Sequence, residues 1–177
     1  MIDLLGMGLP PAGSPEREAE YTKALNGNLD NAHVSRVLVV NEDAVPGVTL
    51  GTARLELTKH KKAIVHHHGR RATWKAFQEI VDKEAKPGQL VGCCNADVWL
   101  DATVERLLNW EGPWDGVLIA LSREAYPDTG SADLWLWRSP LPKLDNVDVF
   151  LGVRAVDKRV CAMAQRAGLT VLNPCVE

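Results

Sequence analysis

The sequence lacks the short motifs by which several large enzyme classes are recognised. It contains no GxGxxG, GxxxxGK[ST], GxSxG or HExxH pattern. These motifs bind dinucleotides, cradle nucleotide phosphates, present a serine nucleophile and hold a catalytic zinc, respectively. Their absence argues against dinucleotide-dependent enzymes, P-loop enzymes, lipase-like hydrolases and zincins.

Metal-type cysteine spacing and long hydrophobic runs are also missing. Cys93, Cys94, Cys161 and Cys175 form no CxxC pair, so buried reduced thiols are favoured over metal or disulfide roles. No apolar run approaches the roughly 20 residues of a membrane span, and the N-terminus has no basic region of the kind that begins a signal peptide. These features predict a cytoplasmic protein without a membrane span.

Acidic residues are absent from one stretch of an otherwise mildly acidic chain. The chain has 20 Lys and Arg against 23 Asp and Glu, but Leu57 to Gln78 contains only basic charges, at Lys59, Lys61, Lys62, Arg70, Arg71 and Lys75. A local basic patch favours a phosphate-bearing ligand, although a solvated basic face has the same pattern. His66 to His68 lie within it. Consecutive strand residues point to alternate faces, so these histidines are predicted to extend the phosphate-attracting surface, with metal binding as the less favoured alternative.

The 177 residues, of which 46% are hydrophobic, suit a single domain over residues 1–177. Alternation of short β-branched runs with amphipathic segments predicts an α/β fold with a mostly parallel sheet. Strands are expected at Ile2 to Met7, Val34 to Val40, Leu55 to Leu57, Ala63 to Val65, Leu90 to Cys94, Gly116 to Leu121, Ser131 to Trp137 and Leu169 to Leu172. Helices are expected from Pro15 to about Gly27, Thr73 to Glu84, Thr103 to Trp110 and Asp157 to Ala167.

The acidic turn Asn95-Ala96-Asp97 directly follows a predicted buried strand. Ligands of open α/β sheets bind outside the carboxyl ends of strands. A carboxylate with an amide oxygen two residues away can hold a divalent cation together with substrate phosphates. Asp97 could also simply cap the following turn, as Asp often does.

A second acidic residue, Asp133, precedes the alternating segment Leu134-Trp135-Leu136-Trp137. Alternation puts Asp133, Trp135 and Trp137 on one face of a strand. Indole rings pack against sugar C–H faces, and a nearby carboxylate can accept a proton from an attacking hydroxyl. The sequence thus suggests an acceptor surface, with an edge strand carrying a solvated Asp as the alternative.

The ordered set of these elements resembles a family of small GT-A-fold glycosyltransferases. The matching segments are Glu16-Arg17-x-x-Glu20 with Leu25 and Asn28, Gly69-Arg70-Arg71, Asn95-Ala96-Asp97, Ala120-Leu121-Ser122-Arg123, Ser131-Ala132-Asp133-Leu134-Trp135, Gly152 with Asp157, and Asn173-Pro174. Together they span nearly the whole chain. The resemblance implies a GT-A-like domain that transfers sugar from a nucleotide-diphosphate donor.

The resemblance also implies roles for individual residues. Asn95 and Asp97 would hold Mn²⁺ or Mg²⁺ and the diphosphate, and Asp133 would be the base. Asp157 would lie by the acceptor pocket with Trp135 and Trp137. Donor contacts would come from Gly8, Arg17, Arg70, Arg71, Asn95, Asp97 and Arg123.

Three alternatives to this function fit the same residues. A phage-type DNA glycosyltransferase acting on a hydroxymethylated base, in the host cytoplasm, is suggested by the basic stretch Lys59 to Arg71. A non-catalytic nucleotide-sugar binding module is suggested by Asn95, which stands where many GT-A enzymes have Asp, and by the lack of any histidine after His68. Nucleotidyl transfer would use the same fold and metal site with a triphosphate donor.

Overall fold

The structure is a computed structural model that describes residues 1–10, 13–42, 56, 59–121, 132–153 and 155–173. Within these ranges the chain forms one seven-stranded sheet flanked by helices on both faces. The strands are β1 (Leu4–Leu9), β2 (Val37–Asn41), β3 (Ala63–His67), β4 (Leu90–Cys94), β5 (Val117–Leu121), β6 (Leu134–Arg138) and β7 (Thr170–Leu172). The helices are α1 (Pro15–Asp30), α2 (Trp74–Glu84), α3 (Val104–Leu108) and α4 (Val156–Arg166).

The strand order is β3-β2-β1-β4-β6-β5-β7. Every neighbouring pair is parallel except the two that involve β6, which runs antiparallel to both β4 and β5. The predicted α/β fold with a mostly parallel sheet is therefore confirmed. The antiparallel insertion of β6 brings its first residues to the edge where β1, β2 and β4 end.

The sheet is buried on both faces, as expected where crossover helices cover a parallel sheet. One core cluster joins side chains of α2 and α4 to residues such as Leu4, Val91 and Trp135. The other joins α1 and α3 to the alternate strand residues, such as Leu5 and Leu136. None of the helices in the described ranges is long and apolar enough to cross a bilayer.

Helix α1 begins as predicted but ends later. The hydroxyl of Ser14 accepts a hydrogen bond from the backbone N–H of Arg17 at 3.4 Å, and Pro15 takes the first helical position, where its missing N–H costs nothing. The predicted end near Gly27 is wrong, because the helix continues to Asp30. Its last turn contains the buried residues Asn28 and Leu29, whose packing outweighs the low helix propensity of glycine.

Several other boundaries differ from the predictions by a few residues. β1 and β2 begin later than expected, and α3 is confined to Val104–Leu108 because the flanking residues form turns. β6 begins at Leu134 rather than Ser131, which lies outside the described residues. The predicted strand Leu55 to Leu57 also lies outside them, apart from Glu56.

Candidate functional site

A cleft lies along the carboxyl edge of the parallel strands. Its walls come from the ends of β1, β2 and β4, the start of α1 and the loop before α4. The described residues that line it are Gly8, Pro10, Arg17, Tyr21, Glu42, Arg71, Cys94, Asn95, Ala96, Asp97, Leu151 and Gly152. This is the edge at which open α/β sheets bind ligands. The fold thus brings together five of the residues predicted to bind the donor.

The pairing of β4 with β6 places Asn95 beside Asp133. Cys94 pairs with Leu134 in the antiparallel register, so the next residue of one strand meets the preceding residue of the other. The backbone N–H of Asn95 donates to the carbonyl of Asp133 at 3.0 Å, and its Nδ2 donates to Asp133 Oδ1 at 2.9 Å. These bonds fix the orientation of the Asp133 carboxylate at the acidic turn.

Asp97 faces helix α1 across the cleft. The Asp97 side chain is 23% exposed, and its Oδ2 lies 3.4 Å from Nη1 of Arg17. The same Nη1 lies 2.6 Å from Oε2 of Glu20, one turn further along the helix. The hydrogen bond with Glu20 is the largest influence raising the pKa of Arg17, and the charge of Asp97 has a smaller effect in the same direction. Arg17 is therefore shared between two carboxylates and held mainly by Glu20.

The thiol of Cys94, the last residue of β4, is buried directly before the acidic turn. Burial raises its pKa far above the ordinary value, and the negative charges of Asp97 and Asp133 raise it further. Burial likewise raises the pKa of the neighbouring Cys93. Both thiols stay protonated and are free of disulfides, as predicted.

Asn28 of α1 and Asn31, which caps the end of this helix, hold the chain that follows Asp97. Nδ2 of the buried Asn28 donates to the carbonyl of Val98 at 2.9 Å, and its Oδ1 accepts from the N–H of Leu100 at 2.9 Å. Nδ2 of Asn31 donates to the Leu100 carbonyl at 2.7 Å. The acidic turn is therefore fastened on one side to β6 and on the other to α1.

The opposite wall contains Glu42, which was not among the predicted site residues. The residue is 6% exposed, and its Oε1 accepts a hydrogen bond from the N–H of Ala72 at 3.1 Å. A Cβ at Gly8 would lie 3.1 Å from that oxygen, so a larger residue at position 8 would crowd the Glu42 carboxylate.

Of the arginines predicted to meet the donor, Arg71 reaches the cleft beside Glu42. Its Nη2 donates to the carbonyl of Leu151 at 2.9 Å, and its guanidinium lies 5.6 Å from the ring centroid of Phe150. Arg70 is exposed and is not among the described residues that line the cleft. Arg123 lies outside the described residues.

The prediction that Trp135 and Trp137 face an acceptor is wrong. Both side chains are fully buried, and their rings pack on Trp74 of α2 at centroid distances of 5.1 and 6.1 Å. The cause is the position of β6, which lies between β4 and β5 rather than at an edge. Both faces of such a central strand are covered, so neither indole can meet a sugar.

Other aromatic rings lie at or near the cleft. Tyr21 lines it, and Phe150 is 49% exposed next to Arg71. Trp99, two residues beyond Asp97, is 46% exposed. Tyr21 and Phe150 are better placed than the buried tryptophans to contact an apolar face of a ligand.

Asp157 lies in the first turn of α4, but it does not cap the helix. The capping position is Ala155, with a left-handed φ of 67° and no side-chain cap. Asp157 Oδ2 instead accepts a hydrogen bond from the N–H of Ala132 at 3.1 Å. The bond ties α4 to the residue that precedes Asp133, which places Asp157 behind the candidate base.

The available metal ligands are oxygen atoms. Among the residues that the structure describes, no three His, Cys, Asp or Glu side chains are grouped to hold a metal ion. The acidic turn offers the carboxylate of Asp97 and Oδ1 of Asn95, and Asp133, to which Asn95 Nδ2 donates, offers a second carboxylate. Magnesium-type sites commonly combine one or two carboxylates with substrate phosphates and water. The donor set fits a cation shared with a substrate better than a closed protein cage.

The three histidines of the basic stretch do not converge. His66 and His68 lie on one face of the chain, with ring centroids 6.3 Å apart, whereas His67 approaches Asn41 on the other face. Partial burial lowers the pKa of His68, and the charges of Arg70 and His66 lower it further. The alternation predicted for this segment therefore keeps the three rings from converging.

The rule that ligands bind at strand ends could have identified Glu42, because it is the first residue after β2. Tyr21 gave a weaker signal, since one aromatic residue in a helix gives no indication of the face it occupies.

Solved structures with this fold include nucleotide-sugar enzymes. A mannosyltransferase from Pyrobaculum calidifontis, in complex with GDP-Man and Mn²⁺, superposes with a TM-score of 0.61 at 14% identity over 97% of this chain. A protein from Desulfovibrio desulfuricans G20, assigned as a nucleotide-diphospho-sugar transferase, gives 0.59 at 14% identity over 97% of this chain and 78% of its own. This chain spans 54% of the mannosyltransferase.

At this identity the similarity establishes the fold. The predicted GT-A-like fold, and the resemblance on which it was based, are confirmed at that level. No protein-family model matches the chain, and no curated protein matches it in sequence.

Proposed function

We propose that this protein is a glycosyltransferase that moves a sugar from a nucleotide-diphosphate donor to an acceptor hydroxyl. The observation that carries the proposal is the meeting of Asn95, Asp97 and Asp133 at the carboxyl edge of the sheet, with Arg17 and Arg71 in the same cleft. Carboxylates suit a cation and an acceptor proton, whereas guanidinium groups suit phosphate oxygens. The fold shared with nucleotide-sugar enzymes supports the same conclusion.

The donor would lie with its diphosphate between the acidic turn and the two arginines. Asp97, with Asn95 Oδ1, would hold Mn²⁺ or Mg²⁺, and the cation would stabilise negative charge on the departing diphosphate. Arg71 is kept in place by the Leu151 carbonyl and can grip phosphate with two parallel N–H groups.

Asp133 is the proposed general base of an inverting reaction. The acceptor oxygen forms a bond to the anomeric carbon as the bond from that carbon to the diphosphate oxygen breaks. The acceptor proton passes to Asp133, and the electron pair of the broken bond leaves with the nucleoside diphosphate. Asn95 orients Asp133 through its amide, and Asp157 holds the backbone at Ala132.

The proposal is tested by nucleotide-sugar turnover in the presence of Mn²⁺. A panel of donors is first screened by thermal shift, since ligand at about 100 times its dissociation constant adds roughly 2.7 kcal/mol of stability. Asp97→Asn should then abolish most turnover, and Asp133→Asn should lower kcat about 100- to 10,000-fold, the range of general-base effects. Asp101→Asn, an exposed carboxylate near the same turn, is the matched control. Turnover of Asp97→Asn within about twofold of the parent would end the assignment.

A DNA acceptor with a hydroxymethylated base is the second candidate. It is favoured by the exposed cations Lys61, Arg70 and Lys75, which belong to the stretch without acidic residues, and by Arg71, which joins that stretch to the cleft. Phosphate contacts release counterions, so acceptor affinity should fall steeply with salt. Turnover on modified DNA that is insensitive to salt would contradict this acceptor.

A binding module without catalysis is separated from the enzyme by the same measurements. Such a module would be stabilised by nucleotide sugar and Mn²⁺ but would release no nucleoside diphosphate, either with an acceptor or by slow donor hydrolysis. Release that depends on Asp133 supports the enzyme.

A further inference from the structure

Arg17 occupies an unusual position between its own helix and the acidic turn. One atom, Nη1, is 2.6 Å from Glu20 and 3.4 Å from Asp97. The side chains of Arg17 and Glu20 are about half exposed, at 51% and 53%, while that of Asp97 is 23% exposed. The guanidinium therefore stands at the open side of the carboxylate that the proposed function assigns to the cation.

The two contacts of Arg17 differ in strength. A charge-assisted N–H···O bond has a length of about 2.7–2.9 Å, so the contact with Glu20 is a full hydrogen bond and the contact with Asp97 is a loose one. Exposed ion pairs contribute little, because water screens them and the side chains lose freedom in forming them. Arg17 can leave Asp97 at low cost while Glu20 keeps it at the mouth of the cleft.

We propose that Arg17 is an exchangeable counter-charge for Asp97. In the protein without ligand its guanidinium offsets the carboxylate and competes with a divalent cation. When a nucleoside diphosphate enters with the cation, the guanidinium moves from Asp97 to the phosphate oxygens. The inference rests on the proposed function, since that function supplies the diphosphate, and it makes Arg17 the residue that couples binding of the two ligands.

Exchange predicts opposite effects of a single substitution on the two ligands. Arg17→Gln removes the competitor of the cation, so Mn²⁺ without nucleotide should bind about two- to fivefold more tightly. The same variant lacks the phosphate partner, so GDP or UDP in saturating Mn²⁺ should bind about tenfold more weakly, the loss expected for one charge-assisted contact. A purely structural role would weaken both or change neither.

Glu20 provides a second variant with the reverse effect on the cation. Glu20→Gln removes the stronger partner of Arg17, which leaves the guanidinium to Asp97. Mn²⁺ without nucleotide should then bind more weakly than to the parent. Arg166→Gln, which removes the same charge from an exposed position at the end of α4, controls for net charge and should leave both affinities unchanged.

The experiment measures Mn²⁺ affinity by the paramagnetic resonance signal of the free ion, and nucleotide affinity by calorimetry, on the full chain of each variant. Melting temperatures verify that every variant is folded. Tighter Mn²⁺ and weaker nucleotide binding in Arg17→Gln supports the exchange. Unchanged or weaker Mn²⁺ binding in that variant overturns it, even if the parent turns over donor normally. A parent that binds neither Mn²⁺ nor a nucleoside diphosphate overturns both this inference and the proposed function.

Discussion

Replacement of Asn28 by leucine should disturb the acidic turn from a distance. The side chain is buried in α1 and makes two bonds of 2.9 Å to the backbone of Val98 and Leu100. Leucine has a similar volume but cannot form hydrogen bonds, so the Val98 carbonyl and the Leu100 N–H both lose their partner. If the loop stayed in place, two unsatisfied groups would cost about 1–3 kcal/mol each. If it moved so that water satisfied them, only the net value of the two bonds, about 0.5–1.5 kcal/mol each, would be lost.

We expect the loop to move, because Trp99 at its centre is exposed and Val98 and Leu100 are only partly buried. The free energy of unfolding should then fall by about 1–3 kcal/mol, and the displaced Asp97 should lower turnover on the order of 100-fold, the cost of a misplacement of about 1 Å. Asn28 is in this view a positioning residue. Its loss should weaken Mn²⁺ binding as well as turnover.

The assay combines urea unfolding, followed by tryptophan fluorescence, with Mn²⁺ affinity and donor turnover. Asn26→Leu is the matched control: it makes the same change two residues earlier, where the side chain is exposed and donates a hydrogen bond to Asp30. Its effect should stay within about 0.5 kcal/mol. A folded Asn28→Leu protein with parental Mn²⁺ affinity and turnover would refute the reasoning.

Two further predictions concern the core and the dependence of stability on pH. Trp135→Ala should destabilise the protein by about 3–5 kcal/mol, as expected for a buried aromatic, and parental stability in urea unfolding would contradict its place in the core. Burial raises the pKa of Asp82 above its ordinary value of 3.8, against the opposing effect of hydrogen bonds such as that from Ser139. The folded state thus binds this proton more tightly than the unfolded state. The resulting stabilisation is fully present below the pKa of the unfolded state and is lost as pH rises through the pKa of the folded state. Asp82→Asn should therefore gain stability relative to the parent between about pH 4 and pH 7, and a difference in unfolding free energy that does not change over this range would contradict the prediction.

The elements that could be predicted from the sequence are those whose signals are local. β4 was predicted with its observed bounds because an apolar run between Gly88 and Asn95 leaves few alternatives. The N-terminal cap of α1 and the apolar spacing of α2 are also contained in adjacent residues. The position of the acidic turn could be predicted for the same reason, since the turn directly follows a buried strand.

What could not be predicted depends on the order of strands in space. The alternation of Leu134 to Trp137 fits an edge strand and a central strand equally well, and only pairing with β4 and β5 decides between them. The sequence also could not show that Arg71 rather than Arg70 lines the cleft, because the position of Arg71 depends on the Leu151 carbonyl, 80 residues away. Such choices are set by contacts between distant segments, which a single sequence does not display.

The antiparallel course of β6 has a consequence for how the site is assembled. Asn95 and Asp133 adjoin the same Cys94–Leu134 pair but are 38 positions apart along the chain, with β5 formed between them. A slip of one residue in this register would turn every side chain of β6 to the opposite face. Trp135 would then leave the α2 side of the sheet, so the core resists the slip. The packing of the Trp135 and Trp137 indoles therefore fixes the register that positions the Asp133 carboxylate. During folding, the site can form only when β4 and β6 have paired.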